Sequence, residues 1–270
     1  MNRVDPLAAA AVLPFHVVES MGVPCGYERS FKIVGGSILA NRYLLGIETK
    51  CVGAHALLDA CRRLGMPGSQ LEQFVEELPR ANLVFLGFEA EEHGGAIYKV
   101  YLEFWDHVRR LRQRRGDEGS PLLSHRGFKW RHDDPTRHVV TDYHWIPDIA
   151  CGEILARIEQ LYEQLPEAAA AGMVRDIISR ADPRNRGGRY IYIEVSETGN
   201  SRLSFDLNLY AAGMRVRDIR SPVEEAAARL GAASGSFDRL MALVSDKLFG
   251  HVSGGVGRDG REYLTIYYEY

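Results

Sequence analysis

The feature that most constrains this chain is a pattern that recurs five times: two short segments of alternating residues joined through a tight turn. The first is YERSFKIV, then Gly35 and Gly36, then RYLLGIE after a short approach. Side chains alternate across a strand with period two, so Glu28, Ser30 and Lys32 share one face and Arg29, Phe31 and Ile33 the other. The glycine pair supplies the positive φ that a two-residue hairpin turn requires. The returning half separates Arg42, Leu44, Gly46 and Glu48 from Tyr43, Leu45 and Ile47. The other four hairpins are ANLVFLGFE with AIYKVYLEFW, GFKWRH with HVVTDYHW, RYIYIEV with RLSFDLNLY, and FGHVSGGVG with EYLTIYYEY. Strands joined by tight turns run antiparallel, which excludes the single-strand alternation of parallel βαβ winding.

Helical spacing fills the intervals. It is read over residues 52–64, from Ser69 to Leu78, over a basic stretch 106–115, over 149–165 and 168–178 divided by Pro166, over 221–230 and over 236–248. A hairpin followed by helices, repeated five times, predicts an α+β fold: a ten-stranded antiparallel barrel of five hairpins with the helices packed outside. The apolar strand faces meet the helices and the polar, aromatic faces line the lumen. Eight strands enclose little more than their own side chains, so ten leave room for a substrate-sized cavity. The expected organisation is an N-terminal extension over 1–24 and one barrel domain over 25–270, a length that sustains a substantial core.

Composition narrows the partners. A net charge of -3 and a sequence pI near 6.3 argue against a general nucleic-acid binder. No run reaches the ~20 apolar residues of a membrane span. The opening LAAAAVLPF is broken by Pro14 and preceded by Asp5, unlike a secretory signal. Cys25, Cys51, Cys61 and Cys151 lack metal-ligand spacing, as expected of reduced thiols in a cytoplasmic protein. A monomer is expected.

Several short stretches together resemble the ABBA prenyltransferases, and among them the peptide-modifying branch, the cyanobactin prenyltransferases. They are the Glu28-to-Arg42 spacing followed by YLLGIE, ANLVFLGFE with YKVYLEF, YIYIEVSETGNSRLSFDL, and the terminal FGHVSGGVGRDGREYLTIYYEY. The resemblance implies transfer of an isoprenyl group, first of all dimethylallyl from its diphosphate, to a side chain of a ribosomal peptide, linear or cyclic. By the same resemblance Glu28 falls at the acidic acceptor-side position, and Arg42 and Lys99 at positions that hold diphosphate. Tyr101 stands where a His occurs in some members, and Tyr192 at a position that is aromatic in users of the five-carbon donor.

That chemistry requires fixed cations for the leaving diphosphate. Arg42, Lys99, Lys129 and Arg131 fall on predicted inward faces. It also requires π-faces to shield and stabilise an allylic cation, by about 0.5–2 kcal/mol each. Tyr101, Tyr143, Trp145, Tyr190, Tyr192 and Tyr267 are the inward candidates. Glu48, Glu103, Glu194 and Asp206 join Glu28 as an excess of lumenal acids. They suit a cationic acceptor, with an arginine guanidinium the first choice and tyrosine or tryptophan next, because a guanidinium is clamped bidentately by carboxylates. The same acids also suit internal ion pairs with Lys129, Arg131 or Arg202. Two other readings keep the same residues: a small-molecule aromatic prenyltransferase on this fold, and a non-catalytic barrel that binds a hydrophobic ligand.

Other motifs carry less. GGVGRDG precedes a strand, not a helix, so it is a hairpin turn and not a phosphate loop. His132 and His138 lack a third metal ligand, and no resident metal is expected. Asp133-Asp134 is not a DDxxD motif, although Mg²⁺ can travel with the diphosphate. The basic run RRLRQRR is read as a solvated helix face.

Overall fold

The computed structural model describes residues 5–92, 94–115, 120–165, 168–182, 190–200 and 203–269; Pro166 and Arg202 lie outside them. The described elements are, in chain order, α1 (Pro6–Met21), β1 (Gly26–Val34), β2 (Ser37–Leu39), β3 (Arg42–Glu48), α2 (Ala54–Arg63), α3 (Gly68–Glu77), β4 (Leu83–Ala90), β5 (Ala96–Glu103), α4 (Trp105–Arg115), β6 (Leu122–Arg131), β7 (His138–Ile146), α5 (Cys151–Leu161), α6 (Ala169–Ala181), β8 (Ile191–Glu197), β9 (Leu203–Asn208), α7 (Arg220–Arg229), α8 (Ser234–Val244), β10 (Phe249–Val256) and β11 (Glu262–Glu269). Each barrel strand pairs antiparallel with the next, and β11 returns to β1, closing a ten-stranded ring to which β2 is appended at the edge of β1. Gly35 and Gly36, at φ 51° and 83°, make a tight turn as expected, but it leads from β1 into the short β2 and not directly into the returning strand β3. The chain then breaks at Ala40 and Asn41 before β3 rejoins β1.

The helices form an outer layer in two groups. The first three helices cover β3 to β6, where Tyr43, Leu45, Ile47, Val84, Leu86, Phe88, Tyr98 and Phe128 are buried. Residues of α5 to α8 cover the other side, burying Phe31, Ile33, Phe205, Leu207, Val252, Leu264 and Ile266. Burial of each such large apolar side chain stabilises the wall by about 1.5–3 kcal/mol. α1 starts at an Asp5 cap, whose carboxylate accepts the Leu7 N–H at 3.0 Å, and ends at Gly22 in the left-handed region. It is pinned to the barrel by Tyr43 and Tyr98, whose hydroxyls donate to the Ala11 and Ala10 carbonyls at 2.6 and 3.0 Å.

One predicted face is reversed. β8 was expected to turn Tyr190, Tyr192 and Glu194 inward. The register pairs Trp145 with Ile193 and Ile193 with Asp206, so Ile193 and Val195 share the lumenal side with Asp206. Tyr190 and Tyr192 are buried in the outer core beside α5 and α6, and Glu194 accepts from Arg157 Nη1 of α5 at 2.8 Å. The reason is the helical cover: a strand buried on both faces no longer advertises its inner side by polarity. Among the described residues no helix is long and apolar enough to cross a membrane.

Candidate active site

The barrel encloses a cavity of about 720 Å³ that opens at the end carrying the hairpin turns. Eight Lys and Arg side chains line it: Arg131, Arg137, Arg258 and Arg261 at the hairpin turns, and four others along the strands. Lys32 comes from β1, Arg42 from β3, Lys99 from β5 and Lys129 from β6. Alternation places each inward, and the register sets Lys99 directly beside Lys129. Arg42 and Lys99 both pair with Glu89 of β4, and all three side chains are buried. Arg42 also donates Nε–H to Ser30 Oγ at 3.3 Å. Burial pushes the Glu89 carboxyl up, but Arg42 and Lys99 outweigh it and hold it well below the usual carboxylate range. Burial, with Arg42 and Lys32 nearby, brings Lys99 down to about 8 against the opposing pull of Glu89.

Aromatic faces stand among these charges. Lys32 Nζ lies 4.5 Å from the Tyr263 ring centroid, and Lys129 Nζ lies 5.8 Å from the centroids of both Tyr101 and Tyr143. Tyr101 meets Tyr143 edge-on at 5.7 Å. Gly127 makes room for this pair, since a Cβ there would sit 2.6 Å from Tyr101 Cε1. Tyr267 completes the aromatic wall.

A second polar group is built from β1, β9, β10 and the 3-10 turn Tyr210–Ala212. His251 places Nδ1 2.7 Å from Asp206 Oδ2 and Nε2 3.2 Å from Glu28 Oε2. Tyr210 donates its hydroxyl to the same Glu28 oxygen at 2.9 Å. Tyr267 stacks on the imidazole, centroids 3.9 Å apart and 11° from parallel. Asp206 and Tyr267 line the cavity, so this group adjoins the cationic wall.

The structure therefore brings together Glu28, Arg42, Lys99, Lys129, Tyr101, Tyr143, Tyr267 and Asp206 from the expected set. Arg131 is at the cavity, but it is engaged by Glu91 and, through Nε and Nη2, by Asp133 at 2.9 Å each. Five residues join Tyr190 and Tyr192 in not lining the cavity, and one of them is Glu28, which meets the lining residue Asp206 through His251. Trp145 packs on Trp105 at 5.2 Å. Glu48 is exposed and paired with Lys50 at 2.5 Å. Glu103 accepts from Asn82 at 3.0 Å and faces His125 at 3.3 Å. Glu194 belongs to the outer layer. The lumen is acid-rich, but Glu89, Glu91, Glu92, Glu197 and Asp259 line it with Asp206 in place of the other expected acids, because a strand's inward parity does not keep its last residues at cavity depth.

Sequence reasoning missed Glu89, Lys32, Tyr263, Tyr210 and His251. Lys32 shares a face with Glu28, and His251 alternates with Ser253 and Gly255, so parity carried a signal for both. Tyr210 shares parity with Asp206 in RLSFDLNLY, a signal too, although β9 ends before it at Asn208. Among the described residues no three His, Cys, Asp or Glu side chains are grouped to hold a metal ion.

No protein-family model and no curated protein matches the sequence. Solved structures do match. The 6-dimethylallyltryptophan synthase from Micromonospora olivasterospora, in complex with DMASPP and Trp, is 16% identical, with 90% of this chain and 81% of that chain covered and a TM-score of 0.57. The 5-dimethylallyltryptophan synthase from Streptomyces coelicolor is 15% identical over 90% and 81%, with a TM-score of 0.59. The apo form of the prenyltransferase PriB is 13% identical over 97% and 95%, with a TM-score of 0.57. Likeness at these identities is likeness of fold, and the fold of this chain is the ABBA prenyltransferase barrel.

Proposed function

We propose that this chain transfers an isoprenyl group from its diphosphate to a nucleophilic side chain of a peptide. The observation that carries the reading is the lining of one cavity by Lys32, Arg42, Lys99 and Lys129 beside the faces of Tyr101, Tyr143, Tyr263 and Tyr267. A hydrophobic-ligand carrier has no use for four cations at the centre of a barrel. A transferase does: breaking the allylic C–O bond sends the electron pair to diphosphate, and cations already fixed in place stabilise that charge without reorganising. The tyrosine faces then shield the allylic cation from water. Glu28, on the same barrel wall, takes the proton that the nucleophile gives up. Barrels of this fold hold such donors, as the complex with DMASPP and Trp shows for its own protein.

Lys99 and Arg42 bind diphosphate in this reading, Lys32 and Lys129 complete the cradle, and dimethylallyl diphosphate is the donor. Mg²⁺, where it takes part, enters with the diphosphate. For an arginine acceptor, Asp206 is the carboxylate of the expected set that lines the cavity, with Glu28 linked to it through His251, whereas Glu48, Glu103 and Glu194 do not line it. The test is incubation with dimethylallyl diphosphate, with and without EDTA, and peptides carrying Arg, Tyr, Trp, His or Ser as sole nucleophile, read by mass spectrometry. Free tryptophan is run in parallel. The expected result is one five-carbon addition to a peptide, with the Arg peptide first. Transfer to free tryptophan and to no peptide overturns the peptide acceptor. Transfer to Tyr or Trp peptides alone overturns the guanidinium. No transfer with any acceptor overturns the enzyme.

A further inference from the structure

The imidazole of His251 has a carboxylate oxygen on each nitrogen, Asp206 Oδ2 at 2.7 Å and Glu28 Oε2 at 3.2 Å. A neutral imidazole has one N–H donor and one acceptor nitrogen, so it would turn a lone pair on one of the two oxygens. Between two carboxylates, the doubly protonated ring satisfies both contacts. The groups against it are Asp206 on β9, Glu28 on β1, and Tyr267 on β11 with Tyr210 of the 3-10 turn; one step further out, Glu269 on β11 pairs with Glu28 and acts on Tyr210, and Arg42 on β3 acts on Tyr267. Burial pushes the imidazole down, yet Asp206 and Glu28 together raise it to about 10. Tyr210 reaches Glu28 because residue 250 is glycine: a Cβ there would lie 2.4 Å from the phenol carbon Cζ.

Both bonds made by His251 and Tyr210 end on Oε2 of Glu28. Oε1 receives none from the described residues. We infer that His251, with Tyr210, is a positioning residue that occupies one oxygen of Glu28 and leaves the other, Oε1, to take the acceptor's proton. The inference rests on the proposed transferase reading. In the step it serves, the acceptor atom forms a bond to the prenyl carbon as the C–O bond breaks towards diphosphate. The acceptor's proton moves to Glu28 Oε1. His251 keeps its own proton throughout. Its charge lies between the two carboxylates and offsets their mutual repulsion. Asp206 in turn holds the ring in plane.

The experiment compares wild-type protein with His251→Ala and Tyr210→Phe. Transfer is followed from pH 5 to 9, and folding is checked by near-ultraviolet circular dichroism. For His251→Ala we expect kcat to fall about 10–100-fold near pH 7 and its acid limb to move up by about one pH unit or more. KM for the prenyl diphosphate should stay within about threefold, because the cationic wall is intact, and added imidazole should restore part of kcat. Tyr210→Phe should lower kcat about threefold to tenfold with the acid limb in place, since it removes a hydrogen bond and no charge. Wild-type kcat and an unmoved acid limb in folded His251→Ala would overturn the assignment. Imidazole ¹⁵N shifts of the wild-type protein provide a readout free of turnover: a doubly protonated ring at pH 7.5 is expected, and a neutral ring overturns the inference even if the variant does not fold. A wild-type protein inactive with every acceptor removes the transferase reading itself, a result distinct from an active variant with an unmoved limb.

Discussion

Replacing Glu89 with Gln isolates the role of the carboxylate that Arg42 and Lys99 share. The substitution keeps the shape of the side chain and removes its charge, leaving two buried cations facing each other. Removing one partner from a buried ion pair costs about 3–5 kcal/mol. For a chain of this length that corresponds to a fall in Tm on the order of 6–10 °C, at about 2 °C per kcal/mol. Loss of Glu89 also removes a contribution that raises the pKa of Lys99. The lysine therefore gives up its proton more readily, and each unit by which its pKa falls relieves up to about 1.4 kcal/mol, so the loss should lie at the lower end. Inorganic diphosphate reverses the effect, because it returns an anion to the cluster. At pH 6.5, where Lys99 remains protonated in the wild type, diphosphate should bind the variant more tightly. Tenfold tighter binding adds about 1.4 kcal/mol, or about 3 °C, to the shift seen at one fixed diphosphate concentration. Thermal unfolding followed by circular dichroism, with and without diphosphate, measures both quantities. A variant that gains no more from diphosphate than the wild type would refute the idea that Glu89 stands where the leaving group's charge belongs.

Arg42→Ala should lower turnover by about 10²-fold, as loss of a fixed charge donor does elsewhere, whereas Arg131→Ala, removing a side chain engaged by Glu91 and Asp133, should cost less; equal losses in steady-state rates would put Arg131 in the cradle. Lys99 sits near 8, below its ordinary 10.5, so kcat/KM for the donor should decline as pH rises through about 8, and Lys99→Arg should remove that decline because a guanidinium stays charged. The same depression means the unfolded chain binds more protons between about 8 and 10.5, so the contribution of Lys99 to stability rises with pH across that window; a denaturant series at pH 7 and 9 on wild type and Lys99→Met measures it. Tyr192→Ala should lower stability by about 3–5 kcal/mol, as loss of a buried aromatic does, and leave the ratio of five- to ten-carbon donor use unchanged; a changed ratio would return this outer-layer residue to the prenyl pocket. Gly127→Ala should displace the Tyr101 ring, which a Cβ would meet at 2.6 Å, cutting transfer at least about tenfold at an overpacking cost of about 1–3 kcal/mol; full activity would show that Tyr101 does not shield the cation.

Much of the architecture is legible in the sequence because local patterns carry it. Period-two alternation in YERSFKIV, YKVYLEF and LTIYYEY identified strands whose inner and outer faces the structure bears out, with Lys32, Lys99, Tyr101 and Tyr267 inward and Phe31, Ile33, Leu264 and Ile266 outward. Turn chemistry at Gly35 and Gly36 set the antiparallel sense. Alternation divides a strand into two sets without saying which set faces the lumen; polarity decides only when one side is wet. In β8 both sides are buried, so the cover of α5 and α6 and the register against Asp206 reversed the reading of Tyr192 and Glu194. Contacts across the barrel were also beyond the sequence. Glu28 and His251 are 223 positions apart and meet only because β11 closes onto β1. Closure brings Glu28, His251 and Asp206 together within hydrogen-bonding distance, and no property of any one strand encodes that meeting, since it depends on the register accumulated around the whole ring.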